Sequence, residues 1–230
     1  MNHLCTNMKS YFILFFLAII AQHAASAFSL QKQQYQTKAI TTTTAMTITN
    51  KRRRSVSLLR MTPRTVYLAC DGFGQPLQDA IEEHLTSQDD VQVQNLGSDT
   101  YYDAAAKVAT HMQKDKDPNS FGVLFCGTGM GVGIVANKFK GIRAATCENT
   151  MTAKYARAVN NANVLCLGNL VTPPETAKQI CDVFMKQGFV DHPTNEEGEK
   201  VEWWSEDVET FLKSSMDGVE NVENQAQQRK

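Results

Sequence analysis

The run Phe121–Cys126 carries no polar side chain and passes straight into Gly127-Thr128-Gly129-Met130-Gly131, and this junction restricts the fold more than any other segment. An unbroken apolar run of that length, stopped by glycine, suits a strand buried on both faces. Thr65–Cys70 is a second such run. Val91–Leu96 alternates and stops at Gly97, Ile142–Cys147 follows, and Asn163–Leu167 ends at Gly168. The intervening segments read as helices. Pro76–Leu85 places Leu77, Ala80, Ile81 and Leu85 at the i, i+3, i+4, i+8 spacing of an amphipathic helix. Tyr102–Met112 is Ala-rich, a helix follows the glycine loop to about Lys138, and Met151–Ala158 forms another. Pro173-Pro174 opens a long helix to about Gln187, since proline is tolerated in a first turn.

Five strands separated by helices predict an α/β fold: a doubly wound (Rossmann-like) five-stranded parallel sheet in a three-layer α-β-α arrangement. Ligands in such sheets bind beyond the carboxyl ends of the strands. That rule singles out Cys70-Asp71, Gly97–Tyr102, Cys126–Gly131 and Cys147–Asn149. The expected organisation is a core domain over 63–190, then an arm and C-terminal helix over 191–216. Within the latter, Gly188–Glu202 reads as irregular and Trp203–Met216 as a helix capped by Ser205, with Glu206 and Asp207 in its first turn. Residues 217–230 are polar and expected to be a disordered tail.

The amino-terminal residues read as an address. Lys9 precedes the apolar run Tyr11–Ala21, and Ala24-Ala25-Ser26-Ala27 follows, the order of a signal peptide over residues 1–27. The apolar run is about half of the roughly 20 residues that span a bilayer, so no membrane span is expected in the mature form. Residues 28–62 are rich in Thr, Ser and Gln, include Lys51-Arg52-Arg53-Arg54 and lack any acidic residue, which is transit-peptide composition. A signal peptide followed by such a segment resembles the bipartite leader of algae with complex plastids, with Ala27-Phe28 at the junction. The expected destination is the plastid (chloroplast) stroma, and simple secretion is the alternative.

Charge narrows the function. Residues 65–230 carry 14 Lys and Arg against 24 Asp and Glu, so general binding of a nucleic-acid backbone is not expected. The five cysteines of this body, Cys70, Cys126, Cys147, Cys166 and Cys181, contain no CxxC pair, so neither a zinc site nor a disulfide framework is suggested.

The glycine loop offers backbone N–H groups and a helix start to an anion. It is not a Walker loop, because no Lys-Ser/Thr follows, and it lacks the GxGxxG spacing of a dinucleotide site. Cys126 stands at its entrance. A thiol facing a helix start can serve as base or nucleophile, whereas a small buried core thiol is the plainer alternative.

Asp71, Tyr101-Tyr102, Cys126–Gly131, Ala136-Asn137-Lys138, Gly141-Ile142-Arg143-Ala144 and Asn160-Asn161-Ala162-Asn163-Val164-Leu165 occur in an order and spacing that resembles type B ribose-5-phosphate isomerases and the related galactose-6-phosphate isomerase subunits, over about residues 65–190. The resemblance implies an aldose–ketose isomerase without metal or cofactor, a homodimer or homotetramer with active sites at the subunit interface, and a sugar phosphate as substrate. It implies Cys126 as the base of an enediolate mechanism and Thr128 as an aid to ring opening. It further implies enediolate stabilisation by the backbone of Gly127, Gly129 and Gly131, and sugar-hydroxyl contacts from Asp71, Tyr101 and Asn160.

The chain departs from that family at several places. The usual Asp-His pair after the first strand is Asp71-Gly72, the ring-opening His is Val159, and phosphate-site arginines fall opposite Leu170 and, in the arm, about Glu196 and Lys200. These departures resemble a divergent plant and algal branch, joined in plants to a C-terminal cupin and named for DNA-damage toleration; no cupin is expected here. A non-catalytic sugar-phosphate-binding or regulatory protein of the same fold stays open beside the isomerase, as does a redox-regulated use of Cys126.

Overall fold

A computed structural model describes residues 63–115, 117–195 and 197–228. The two leader segments and Glu196 lie outside the described residues. The elements alternate as the apolar pattern requires: β1 (Arg64–Cys70), α1 (Gln75–Thr86), β2 (Val91–Ser98), α2 (Tyr101–Lys114), β3 (Phe121–Cys126), α3 (Met130–Ala136), β4 (Ala144–Thr146), α4 (Thr150–Ala158), β5 (Val164–Gly168), α5 (Pro174–Lys186) and α6 (Glu206–Gln228).

All five strands pair in parallel, in the order β2-β1-β3-β5-β4. The β1–β2 connection runs one way across the sheet and the β2–β3 connection runs back, so the winding reverses beside β1 and β3. Helices accordingly cover both faces. One face packs Leu77, Ile81 and Leu85 of α1, Ala153 and Ala156 of α4, and Ile180 and Phe184 of α5 against Val66, Leu68, Val123 and Phe125. The other packs Ala104, Ala105 and Val108 of α2 and Val132 and Ala136 of α3 against Ala69, Leu124 and Val164. Central β3 is buried along its whole length, as its sequence requires.

Two boundaries differ from expectation. Strand β4 is three residues long, where Ile142–Cys147 was the expected span. At its start Arg143 N donates to the Asn163 side chain, and on the outer edge Asn137 Oδ1 accepts from Ala144 N while its Nδ2 donates to Ala144 O, both at 2.8 Å. A side chain thus occupies the free edge of this outer strand where another strand could pair. Ile142 is still buried, in the turn that precedes the strand.

The last helix does not stop near Met216 but continues to Gln228, through the residues expected to be a disordered tail. Its far end is anchored, since Glu223 Oε1 accepts from Gly141 N at 2.7 Å and Lys140 Nζ donates to Asn224 Oδ1 at 2.6 Å. Ser205 caps it as expected, its Oγ accepting from Val208 N at 3.3 Å. Trp203 and Trp204 precede the helix, and Trp204 is buried with Ala158 and Leu212, fixing the arm to α4. Among the described residues, no helix is long and apolar enough to cross a membrane.

Candidate active site

The carboxyl ends of β1 and β3 meet where the winding reverses, and the loops that leave them are tied together. Asp71 N donates to Phe125 O at 3.1 Å, Asn169 N to Cys126 O at 3.0 Å, and Leu170 N to Gly127 O at 2.9 Å. The Cys126–Gly131 loop therefore rests on three strand ends at once. Gly129 takes φ +78°, the left-handed region that glycine alone enters freely. Gly168 allows the closest approach: a Cβ there would lie 2.4 Å from the Thr128 carbonyl carbon. Thr146, at the end of β4, adds a support by donating from its hydroxyl to Gly129 O at 3.3 Å.

Cys126 is buried beneath this loop, and its Sγ accepts the Gly129 N–H at 3.0 Å. The Gly129 amide is therefore directed at the sulfur. Met130 N is likewise engaged, donating to Thr128 Oγ1 at 3.4 Å. The amides of Gly127, Thr128 and Gly131 donate to no described residue, so they are free for a developing oxyanion. Gly131 also lies under the Tyr101 ring, whose Cδ2 is 3.2 Å from where a Cβ would stand.

A cavity of about 290 Å³ opens over the loop, lined by Asp71, Phe73, Tyr101, Cys126, Gly127, Thr128, Gly131 and Leu170. A second, of about 540 Å³, adjoins it through Asp71, Phe73 and Tyr101 and adds Gly72, Asp99, Thr100 and Tyr102. The Asp71 carboxylate is partly structural: Oδ1 accepts from Phe73 N at 3.0 Å and from Gly74 N at 2.9 Å, which sets the turn into α1. Hydrogen bonds from Lys107 and from the Thr100 amide hold the Asp99 carboxyl below the usual carboxylate range. Thr100 caps α2 and so places Tyr101 at the helix start, above the loop.

The structure thus gathers Cys126, Thr128, Asp71, Tyr101, Gly127, Gly129 and Gly131. It does not bring Asn160 to them. Asn160 follows α4 and precedes β5, at the amino ends of the strands, where Gly122 N donates to Asn163 O. Four residues of β3, about 13 Å at ~3.3 Å per residue, separate that level from Cys126. The turn is firmly built, with Asn161 at φ +49° held by Arg143 Nε on its carbonyl at 2.6 Å and by Arg157 on its side chain at 3.3 Å. Burial, then the like charges of Arg143 and Arg64, push Arg157 down to about 10.

Phe73 was not singled out from the sequence, yet it lines both cavities while exposing 69% of its surface. Its place two positions past a strand-end aspartate is the sequence signal by which it could have been found. The other four thiols are buried away from the cavity. Burial raises the pKa of Cys70, Cys166 and Cys181, and pushes Cys147 up to about 11. Among the described residues, no three His, Cys, Asp or Glu side chains gather as a metal site.

The fold is that of known proteins which the chain resembles. A ribose/galactose isomerase family model matches residues 66–202. A probable ribose-5-phosphate isomerase B of Mycoplasma pneumoniae is 42% identical over 130 residues, covering 54% of this chain and 84% of that protein. The Arabidopsis thaliana DNA damage-repair/toleration protein DRT102 is 35% identical over 160 residues, or 70% of this chain; the chain spans half of that relative's length. Ribose-5-phosphate isomerase B from Mycoplasma genitalium, solved with bound ribulose-5-phosphate, superposes with a TM-score of 0.59 at 30% identity, covering 71% of this chain and 99% of that one. The chain belongs to the ribose/galactose isomerase family.

Proposed function

We infer that this protein is a sugar-phosphate aldose–ketose isomerase and that ribose 5-phosphate and ribulose 5-phosphate are its substrate pair. The observation that carries the reading is Cys126 Sγ, buried below the cavity floor and fixed by the Gly129 N–H at 3.0 Å. In the open-chain aldose the C2–H bond breaks, its proton passes to the Cys126 thiolate, and charge builds on O1 of the enediolate. The amides of Gly127 and Thr128 stabilise that charge. A proton moves from O2 to O1, and the thiol returns its proton to C1 to give the ketose. Asp71 and Tyr101 hold sugar hydroxyls, and Thr128 assists ring opening. Assay of the full chain should show turnover that Cys126→Ala abolishes; a wild type as inactive as that variant would refute the mechanism.

The working unit in this reading is a homodimer or a homotetramer. Asn160 sits at the opposite pole from Cys126, so it reaches a site only from a second copy. The cavity rim exposes Phe73, Tyr102, Met130 and Leu170, an apolar border suited to such a neighbour. Mixing Cys126→Ala with Asn160→Ala protein, each inactive, should restore about a quarter of wild-type activity, because half of randomly paired dimers hold one intact site. Failure of mixing to restore any activity would place Asn160 outside the site.

A second reading, a non-catalytic sugar-phosphate-binding protein, draws on the commitment of Asp71 Oδ1 to two backbone amides. It predicts thermal stabilisation by a sugar phosphate without turnover. In this reading residues 1–62 direct the protein to the plastid stroma and are removed on the way; a fluorescent fusion of that segment, imaged for plastid as against secretory localisation, tests this.

A further inference from the structure

Asn160 is exposed, and its side-chain amide bonds to no described residue. Its neighbours are all committed. Val159 N donates to Tyr155 O at 2.9 Å, Asn161 N to Arg157 O at 3.1 Å and Ala162 N to Ala156 O at 2.9 Å. Asn161 takes φ +49°, a left-handed conformation that a residue other than glycine keeps only where its surroundings impose it. Two arginines impose it here. Arg157 Nη1 donates to Asn161 Oδ1 at 3.3 Å and to the Ala162 carbonyl, and Arg143 Nε donates to Asn161 O at 2.6 Å. The result is a strained, braced turn with one amide side chain left over, that of Asn160.

Of the two arginines, Arg157 belongs to the core, its guanidinium 4.8 Å from the Phe121 ring centroid and 5.6 Å from that of Phe184. Arg143 acts from a fixed base at the sheet edge. Its N donates to Asn163 Oδ1 at 2.8 Å, and its O accepts from Asn163 N at 3.0 Å and from Val164 N at 3.3 Å. Asn163 Nδ2 in turn donates to Gly141 O at 2.8 Å. No described carboxylate pairs with Arg143, so surface ion pairing does not account for a cation at this place. Its charge-assisted bond to Asn161 O refers the turn to the starts of β4 and β5. Resting on the isomerase reading above and on Asn160 reaching a second copy, we propose that Arg143 is a positioning residue of the reaction: it fixes the turn so that Asn160 meets the sugar over the partner's Cys126. Arg143 thus serves the neighbouring site and not the one in its own chain.

Arg143→Met keeps the length of the stem and removes the donor. Its kcat/KM on ribose 5-phosphate should fall by about 10- to 100-fold, the effect of a misplaced contact group, and Arg143→Lys, which keeps a donor, should lose less. Complementation between full-length variants separates positioning from folding. Mixed with Cys126→Ala, Arg143→Met should recover about a quarter of wild-type activity, because half of randomly paired dimers join one intact Cys126 loop to one intact Asn160 pole. Mixed with Asn160→Ala it should recover none, since both lesions lie at the same pole. Recovery with Asn160→Ala overturns the proposal and leaves the isomerase reading standing. So does recovery with neither variant while those two complement each other, and so does wild-type kcat/KM in Arg143→Met beside an inactive Asn160→Ala. If Cys126→Ala and Asn160→Ala do not complement each other, the reading of Asn160 itself fails and this inference falls with it.

Discussion

Replacing Gly168 by alanine places one methyl group against the back of the Cys126–Gly131 loop. That Cβ would lie 2.4 Å from the Thr128 carbonyl carbon, 2.6 Å from its Cα and 2.7 Å from its oxygen. All three are backbone atoms, so no flexible side chain can swing aside. Restoring ordinary van der Waals contact requires the loop or the end of β5 to move by about 1 Å. Overpacking of this kind costs about 1–3 kcal/mol, which in a domain of this size lowers Tm by roughly 2–12 °C. A displacement of about 1 Å in the Gly127 and Thr128 donors should lower kcat/KM on the order of 10²-fold. Gly72→Ala is the control: Gly72 borders the adjoining cavity, but its Cβ would meet nothing within 4 Å. Its stability should stay within about 0.5 kcal/mol of wild type. Thermal melts and steady-state rates on both variants decide the matter. A Gly168→Ala protein that melts with wild type and keeps its activity would show that the loop is not pressed against β5 in solution, and the reasoning would fail.

The other expectations concern the edge strand, the thiols and alkaline pH. Asn137→Ala removes both side-chain bonds to Ala144 and should cost about 1–2 kcal/mol in urea unfolding, with Asn137→Asp recovering part of the loss through the Ala144 N–H. Alkylation of the native protein at pH 8, followed by peptide mapping, should modify Cys126 before Cys70, Cys147, Cys166 or Cys181, whose thiols burial keeps protonated; earlier labelling of Cys147 would contradict the site. Burial first, and then the hydrogen bond to Asp115, pushes Tyr67 up to about 12 from an ordinary 10. A raised folded-state pKa means that this stabilisation is complete below about pH 10 and is lost as pH rises toward 12. Tyr67→Phe should therefore flatten the fall in Tm across that window, and an unchanged slope would refute the assignment.

Most of the fold could be read from the chain because buried parallel strands leave an unmistakable trace: Phe121–Cys126 and Thr65–Cys70 carry almost nothing that water would hold. Strand order is a different matter. Nothing local to Ala144–Thr146 or Val164–Gly168 says that β5 enters the sheet between β3 and β4, since that depends on which crossover leaves α4 and α5 a shared face with α1. The extent of α6 was equally hidden, because its last turns are held by Glu223 and Asn224 meeting a loop some eighty residues upstream. At the site, the Cys126 loop was legible and the division of labour within it was not. Only the folded loop separates the Gly129 amide, which faces sulfur, from the free amides of Gly127, Thr128 and Gly131. Asn160 teaches the sharper lesson. The rule that places ligands at the carboxyl ends of strands marks Asp71, Tyr101 and Cys126, and the same rule places a residue just before β5 at the other pole. Similarity of motif had grouped Asn160 with the rest, while topology separates it. The two statements are compatible only if the site is completed between chains, and the exposed Phe73, Tyr102 and Leu170 rim is then the surface over which a second copy would close.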